Sequence, residues 1–402
     1  MRVELRAELK GRSAYLDGLA AVRQLDALGA VRPILLAYHP VARLNPFQAL
    51  LYSAAWEAGV APLPVADLAE LEAVAGLGAL GVTVVLHLHW TNTVLAGVPA
   101  DGAAAATAAY LDRLDRFRAA GGRLAWTVHN VLPHDSVRPA DEAALQQAIL
   151  DRADAVHLLA ADTAAAVGDR FALPAGRMFH VPHPSYLGAY ETTLSREEAR
   201  YQLDLDADAT VYALLGAIKP YKGLDDLLTA FDALYAEDQR RRLLVAGAPD
   251  HEVVTTAFVR RCERHPGILV RPARIPAAEM PVYLRAADAV VLPYRRTLNS
   301  GVLLLAYTFG LPVVAPEVPG IAELLGPETA RSFALEDAAG LARAMRDVAD
   351  LAGPAVVGHT RTAALAIARE RAPERISPAF FAALRERLDA AGVEPGIGEA
   401  PG

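Results

Sequence analysis

The sequence contains a single cysteine, Cys262, among its 402 residues. One cysteine cannot form an intramolecular disulfide, and such a chain suits a reducing compartment. Long apolar runs are also missing, since none reaches the ~18 residues that a membrane-spanning helix needs. Residues 1–5 carry mixed charge and lack the apolar core of a signal peptide. We therefore expect a cytoplasmic protein without a transmembrane segment, and peripheral membrane contact is left open.

Basic residues are outnumbered, with 39 Lys and Arg against 47 Asp and Glu and a formal net charge of −8. A nucleic-acid partner normally demands a basic face, so the composition argues against one. With 53% hydrophobic and 21% charged residues, a well-packed globular enzyme is expected. A chain of 402 residues is too long for one comfortable core and suits two domains.

The stretch 286–323 has the pattern of a βαβ unit. The apolar run 289–292 is typical of a buried parallel strand and ends at Pro293. A polar loop leads to Gly301, a helix is predicted as far as Phe309, and residues 312–315 form the next strand.

The predicted start of this helix, at Asn299, Ser300 and Gly301, is suited to binding an anion. Backbone N–H groups of a first helical turn are free and carry partial positive charge, so phosphate can bind there without a metal. The alternative is that Asn299 and Ser300 merely cap the helix.

A second anion-binding element lies upstream, between a predicted strand at 211–215 and a predicted helix at 225–234. The intervening loop holds Gly216, Lys219 and Lys222, but it lacks the spacing of a Walker loop. It places two ammonium groups at the carboxyl end of a strand, where open α/β sheets bind ligands. Two such turns in one sheet predict a diphosphate site.

Histidines mark the ends of two strands in the first half of the chain. His87 and His89 share one face of a strand predicted at 82–90, and His129 follows a strand ending at Val128. An i, i+2 histidine pair can bind zinc, but no cysteine or acidic ligand lies nearby. His129 is placed to project into a cleft; the alternative is a loop histidine satisfied by a backbone carbonyl.

Several short motifs occur in an order that resembles the GT-B glycosyltransferases, most closely glycosyltransferase family 4. The resemblance covers about residues 30–390. The motifs are WTVHN at 126–130, KPYKG at 219–223, VAG at 245–247, AADAVVLP at 286–293 and GLPVV at 310–314.

The resemblance implies an α/β protein with two Rossmann-like, doubly wound parallel-sheet domains facing an interdomain cleft. The expected bounds are 1–185 for an acceptor-side domain, 186–372 for a nucleotide-sugar-binding domain, 373–391 for a helix crossing back, and 392–402 for a flexible tail. The implied activity is transfer of a sugar from a nucleoside-diphosphate sugar to a hydroxyl acceptor. It would be metal-independent, use no further cofactor and retain the anomeric configuration.

By the same resemblance, individual residues receive roles. His129, with Asn130 and His89, would act at the donor sugar, and His134 and Asp135 would be neighbours. The acceptor would meet Asn45, Phe47 and Gln48, although a Pro-initiated helix with a capping Asn, running from about Pro46 to Gly59, explains these equally well. The donor would contact Gly216, Lys219, Lys222, Arg274, Ile275, Asn299, Ser300 and Gly301. No convincing metal-binding D-x-D motif is present.

Two departures from the family pattern affect the donor site. The family's pair of glutamates is replaced by Thr297 and Leu305, which leaves the ribose contact unaccounted for, and Ala217 replaces a common arginine. These losses motivate a competing hypothesis, an inactive GT-B protein that binds a nucleotide sugar or a partner enzyme. An epimerase on the same fold is a third hypothesis. A carboxylate base for an inverting reaction could be Asp135.

Overall fold

A computed structural model describes residues 12–42, 45–132, 138–191, 193–250 and 252–392. His134 and Asp135, and the predicted tail beyond residue 392, lie outside the described residues. The chain divides into two compact units. The N-terminal unit comprises the described residues up to His183 and those from Glu374 onward, and the C-terminal unit comprises Pro184–Pro373.

Strands and helices alternate along both units. The strands are β1 (Ile34–His39), β2 (Val60–Pro64), β3 (Thr83–Leu88), β4 (Arg123–Val128), β5 (Ala155–Leu158), β6 (Met178–His180), β7 (Thr210–Leu215), β8 (Arg241–Ala246), β9 (Ile268–Arg271), β10 (Ala289–Val291), β11 (Val313–Pro316) and β12 (Ala330–Phe333). The helices are α1 (Ala14–Ala27), α2 (Phe47–Leu51), α3 (Leu71–Gly76), α4 (Asn92–Leu95), α5 (Ala103–Ala119), α6 (Pro139–Arg152), α7 (Thr163–Val167), α8 (Arg196–Gln202), α9 (Leu224–Glu237), α10 (Val253–Arg264), α11 (Met280–Ala286), α12 (Gly301–Thr308), α13 (Gly340–Ala352), α14 (Val357–Glu370) and α15 (Pro373–Gly392).

The sheet of the N-terminal unit is parallel, with the strand order β2-β1-β3-β4-β5-β6. The order reverses between β1 and β3, so this is the switch point at which ligands bind in open α/β sheets. His39 ends β1 and His89 follows β3, and the backbone N–H of His89 donates to the carbonyl oxygen of His39 at 2.9 Å.

The sheet of the C-terminal unit is also parallel, with the order β12-β11-β10-β7-β8-β9. Numbered within the unit and read from the β9 edge, this is the 3-2-1-4-5-6 order of a dinucleotide-binding fold. Its switch point lies between β7 and β10. The predicted α/β class with two doubly wound parallel sheets is confirmed.

The final helix α15 packs on the N-terminal unit. Phe380, Phe381 and Leu384 are buried in one cluster with residues of β1, β3 and α2. In the C-terminal unit a second cluster lies between the sheet and helices α9, α10 and α13, and it contains Cys262.

The sequence patterns missed two strands and placed the end of one helix too late. β2 and β12 were not predicted, because both are short edge strands, and β2 contains Pro62 and Pro64, which an edge strand tolerates. The helix predicted from Pro46 to Gly59 ends at Leu51 and continues as turns.

Candidate functional site

The loop after β7 carries a buried lysine. Gly216 ends the strand with φ +83°, and Lys222 lies in a short turn before α9 with a side chain that is 3% exposed. The Nζ atom of Lys222 donates to the carbonyl oxygen of Leu215 at 3.0 Å. Burial, with a smaller contribution from the charge of Lys219, lowers the pKa of Lys222 to about 7.

Tyr294 connects this lysine to the start of α12. The Nζ atom of Lys222 lies 5.6 Å from the centre of the Tyr294 ring, and the Tyr294 side chain hydrogen-bonds Ser300. Ser300 caps α12, and its Oγ accepts from the backbone N–H of Leu303 at 3.2 Å. The helix therefore begins at Gly301, as predicted.

The two predicted anion-binding turns meet at the switch point of the C-terminal sheet. A Cβ at Gly216 would lie 3.4 Å from Nζ of Lys222 and 3.8 Å from Cγ2 of Val302 in the first turn of α12. A lysine ammonium and the N-terminal end of a helix both favour a bound anion. Because they lie beside glycine backbone, a bulky anionic group such as a diphosphate can approach them.

The other predicted donor residues lie in the same two loops or in the loop after β9. Asn299 is half-buried, and its carbonyl oxygen accepts from Oγ1 of Thr297 at 2.6 Å. Lys219 is half-buried on the same loop as Lys222. Arg274 is exposed and Ile275 half-buried in the loop after β9, which lies at the edge of the sheet, two strands from β7.

In the N-terminal unit, polar side chains from β3, β4, β5 and the turn after α2 form a buried hydrogen-bonded series. We call this series the histidine chain. Its members, in order, are Val181 (backbone carbonyl), His157, Thr127, His87, Tyr52, His89 and His129. His89 is bonded through both ring nitrogens, to Tyr52 and to His129, so it supports His129 and has no ring nitrogen left for a substrate.

Aromatic rings enclose His129 at one end of this chain. Trp90 stacks on the His129 ring with centroids 4.3 Å apart and planes at 20°, and Phe47 meets it edge-on at 4.9 Å. Burial, followed by the neighbouring histidines, lowers the pKa of His129 well below its usual value. His129 follows β4 as predicted, and the adjacent Asn130 is half-buried.

Two of the predicted acceptor residues, Asn45 and Gln48, make hydrogen bonds within their own loop, and Phe47 packs against His129. The Oδ1 atom of Asn45 accepts from the backbone N–H of Phe47 at 3.0 Å. Gln48 is buried; its Oε1 accepts from the N–H of Ala42 at 2.7 Å, and its Nε2 donates to the carbonyl of Pro40 at 2.8 Å. These contacts fix the loop after β1, and an acceptor-binding role for the three residues stays a prediction.

The second half of the chain matches a known protein family. Residues 209–350 match the family described as glycosyl transferases group 1. A GDP-mannose:glycolipid 4-beta-D-mannosyltransferase of Xanthomonas campestris pv. campestris is 29% identical over 252 residues, which are 60% of this chain and 65% of that enzyme. A D-inositol 3-phosphate glycosyltransferase of Kineococcus radiotolerans is 28% identical over 51% of this chain and 47% of its own length. This chain thus spans less than two thirds of either relative.

Solved structures match the fold over most of the chain. Anabaena HepE in complex with UDP superposes with a TM-score of 0.64 at 15% identity, covering 88% of this chain and all of HepE. The sucrose-phosphate synthase of Thermosynechococcus elongatus gives a TM-score of 0.63 at 18% identity over 89% of this chain. The chain therefore has the GT-B fold, with two parallel Rossmann-like sheets.

The missing glutamate of this GT-B protein has no substitute on the same helix. Leu305 is 6% exposed in the middle of α12, and the helix carries no acidic residue in its sequence GVLLLAYT. Ala217 is exposed beside Gly216, and Lys222 supplies a buried cation within the same loop.

Sequence reasoning missed three residues that organise the two sites. Tyr52, Thr127 and Tyr294 join functional groups that lie far apart along the chain, so no local pattern reveals the first two. Tyr294 did leave a signal, since an aromatic residue directly after Pro293 occupies the carboxyl end of β10.

The described residues offer neither a metal-ion cluster nor a membrane-spanning helix. Among these residues no group of three His, Cys, Asp or Glu side chains is placed to hold a metal ion. Within the same residues, no helix has the length and apolar character needed to cross a membrane.

Proposed function

We propose that this protein is a glycosyltransferase that moves a sugar from a nucleoside-diphosphate sugar to a hydroxyl acceptor. The observation that carries the proposal is the meeting of Lys222, Tyr294 and the Ser300-capped start of α12 at the switch point of a dinucleotide-binding sheet. The acceptor is a glycan, a lipid-linked sugar or a small molecule, and we propose a cytoplasmic location.

In this reaction the nucleoside diphosphate leaves with additional negative charge. Preorganised donors aimed at a developing charge supply the largest part of such catalysis. Lys222 and the backbone N–H groups after Ser300 are the groups that would receive the leaving diphosphate. The reaction is proposed to need no metal and to retain the anomeric configuration, as in the family that the chain resembles.

A thermal-shift panel of UDP, GDP, ADP and dTDP in the presence of EDTA tests the donor site, because a ligand that binds only the folded state raises the melting temperature. GDP and UDP come first, since GDP-mannose is named for one relative and UDP is bound in one structural neighbour. We expect a shift with one nucleotide that is lost in Lys222→Met. No shift with any of the four would contradict the proposal.

The second candidate function is an inactive protein that binds a nucleotide sugar or a partner enzyme. It is favoured by the replacement of the family's glutamates with Thr297 and the buried Leu305. Nucleoside diphosphate release that depends on an added acceptor would exclude this candidate, whereas nucleotide binding without release would support it. The anomeric configuration of a product, read by proton NMR, tests retention.

A further inference from the structure

The histidine chain links the carbonyl oxygen of Val181 to the ring of His129 without a break. Its hydrogen bonds span 2.7 to 3.0 Å. Every side chain in it is at most 7% exposed. The members come from five different segments of the N-terminal unit, so the series is a product of the fold.

The direction of these hydrogen bonds follows from the first one. A backbone carbonyl oxygen can only accept, so Nε2 of His157, at 2.7 Å from Val181, carries a proton. Burial lowers the pKa of His157 to about 3, so its ring is neutral and Nδ1 is an acceptor. That nitrogen must receive the single hydroxyl proton of Thr127, at 3.0 Å.

The atom that carries each remaining proton then follows step by step along the histidine chain. With its proton used, the oxygen of Thr127 accepts from Nε2 of His87 at 2.7 Å. The neutral His87 accepts at Nδ1 from Tyr52, whose oxygen in turn accepts from Nε2 of His89. Nδ1 of His89 therefore accepts from Nε2 of His129 at 3.0 Å. In a neutral His129, the proton is on Nε2 and the lone pair on Nδ1.

We infer that the histidine chain sets the tautomer of His129 and so makes its Nδ1 a hydrogen-bond acceptor only. A group that meets Nδ1 must bring a hydrogen-bond donor, which a sugar hydroxyl does and a phosphate or carboxylate oxygen does not. The inference rests on the proposed function for the identity of that hydroxyl. It excludes a diphosphate oxygen as the partner of this nitrogen, so the diphosphate is assigned to other residues.

The common direction of the hydrogen bonds in the histidine chain also affects the electron density on the ring of His129. All of its N–H and O–H bonds point from His129 toward Val181, and hydrogen bonds in such a series polarise one another. The negative ends of these dipoles therefore face His129, where they strengthen Nδ1 as an acceptor. The other members act through His129, so they are positioning residues.

Nitrogen-15 NMR of the histidine side chains in the ligand-free protein tests the inference directly, because it distinguishes protonated from unprotonated ring nitrogens. His129→Asn assigns the signals of His129 by their loss. Two variants interrupt the histidine chain at different hydroxyl groups. Thr127→Val removes the hydroxyl between His157 and His87. Tyr52→Phe removes the hydroxyl between His87 and His89. Thr127→Ser keeps the hydroxyl and is the matched control.

Each variant is expected to release the tautomers of only those histidines that lie between the removed hydroxyl and the His129 end of the histidine chain. In the wild type and in Thr127→Ser, His157, His87, His89 and His129 are all protonated at Nε2. In Thr127→Val only His157 keeps this form, and the other three become mixtures of both tautomers. In Tyr52→Phe, His157 and His87 keep it, while His89 and His129 become mixtures. Circular dichroism and thermal melts confirm that each variant is folded.

The inference would be overturned if His129 stayed protonated only at Nε2 in both Thr127→Val and Tyr52→Phe. It would also be overturned if His129 of the wild-type protein were protonated at Nδ1. Because this readout needs no substrate, it stands even if the proposed transferase activity fails. If activity is present, kcat should be lower in a variant that has a smaller fraction of His129 with an unprotonated Nδ1. The KM for the donor should be unchanged. Serine at position 127 should restore kcat.

Discussion

Gly223 packs directly against the carbonyl oxygen of Pro293, so that a Cβ at position 223 would overlap that oxygen. The contact joins the turn that carries Lys222 to the exit of β10, which leads to Tyr294. Gly223 also has φ +64°, a backbone conformation that favours glycine. One close approach between backbones thus holds the two halves of the proposed diphosphate site together.

Gly223→Ala is expected to displace this turn and abolish the thermal shift caused by the nucleotide that the panel identifies. An alanine with positive φ costs about 1–2 kcal/mol by itself, and the overlap with Pro293 adds to this cost. The measurement is the melting temperature with and without nucleotide.

Gly29→Ala is the matched control for backbone strain. Gly29 has a nearly equal φ of +65°, but no heavy atom lies within 4 Å of its Cβ position. This variant should lose some stability and keep the nucleotide-dependent shift. Equal loss of the shift in both variants would show that strain alone, and not the contact with Pro293, is responsible.

Binding of the nucleoside diphosphate should take up a proton at pH 8. The pKa of Lys222 is about 7 in the free protein, so its amine is mostly neutral at that pH. A bound diphosphate favours the charged ammonium and raises the pKa, so up to about one proton is bound with the ligand. For the same reason, affinity should fall as the pH rises above 7.

Calorimetry in buffers of different ionisation enthalpy measures this proton uptake. Lys222→Arg is the comparison, because an arginine stays charged throughout this pH range and cannot take up the proton. An uptake of the same size in the arginine variant would assign the proton to another group.

Sequence patterns could predict the residues at strand exits but not the partners that hold them. Lys222, Ser300 and His129 follow buried apolar runs, and the carboxyl ends of parallel strands meet at one edge of a sheet. Tyr52 and Thr127 meet His87 across 35 and 40 residues of sequence. Hydrogen bonds of that separation leave no periodicity to detect.

The two strands that were not predicted, β2 and β12, also show what sequence patterns leave undetected. β2 pairs only with β1 at the edge of its sheet, where its prolines cost no central ladder bond. β12, with the sequence ARSF, lies at the edge of the other sheet and exposes Ser332. β12 is half-solvated and lacks the continuous apolar pattern by which the central strands were predicted, whereas β2 is apolar but interrupted by Pro62 and Pro64.

Asp288 anchors the first strand of the C-terminal sheet to a buried arginine. Its carboxylate accepts from the Arg200 guanidinium at 2.8 Å and from the backbone N–H of Val211 at 2.8 Å. The Arg200 side chain is only 3% exposed. Asp288→Asn should therefore destabilise the C-terminal unit by about 3–5 kcal/mol, because it leaves a buried charge without its counterion.

The single thiol reports on this unit. Cys262 is buried in its core, and burial raises the pKa of the thiol to about 12. Its reaction with a thiol reagent across a urea series should shift to much lower urea in Asp288→Asn. Asp238→Asn, which removes an exposed ion pair with Arg240, should change the midpoint little, since such pairs contribute about 0–1 kcal/mol. Similar shifts in both variants would argue against a special role for Asp288.

Acid should destabilise the N-terminal unit through its buried histidines. Burial lowers the pKa of His87, His89, His129 and His157 in the folded state, so the unfolded chain binds their protons first as the pH falls. Stability from these groups is fully present above the unfolded pKa of about 6.5 and is lost as the pH falls toward their folded values. Between pH 7 and pH 5 His157, whose folded pKa is about 3, should cost about 2 kcal/mol, and the other three histidines add to this loss.

Urea unfolding followed by tryptophan fluorescence isolates this effect, because Trp56, Trp90 and Trp126 all lie in the N-terminal unit. His157→Phe should lower stability at pH 7, since it removes the acceptor of the Thr127 hydroxyl proton, yet reduce the loss between pH 7 and pH 5 by about 2 kcal/mol. His359→Gln, at an exposed ion pair with Glu328 in the C-terminal unit, should leave the fluorescence transition unchanged at both pH values. An undiminished acid loss in His157→Phe would mean that His157 is not neutral in the folded protein, and the proton order derived for the histidine chain would fail with it.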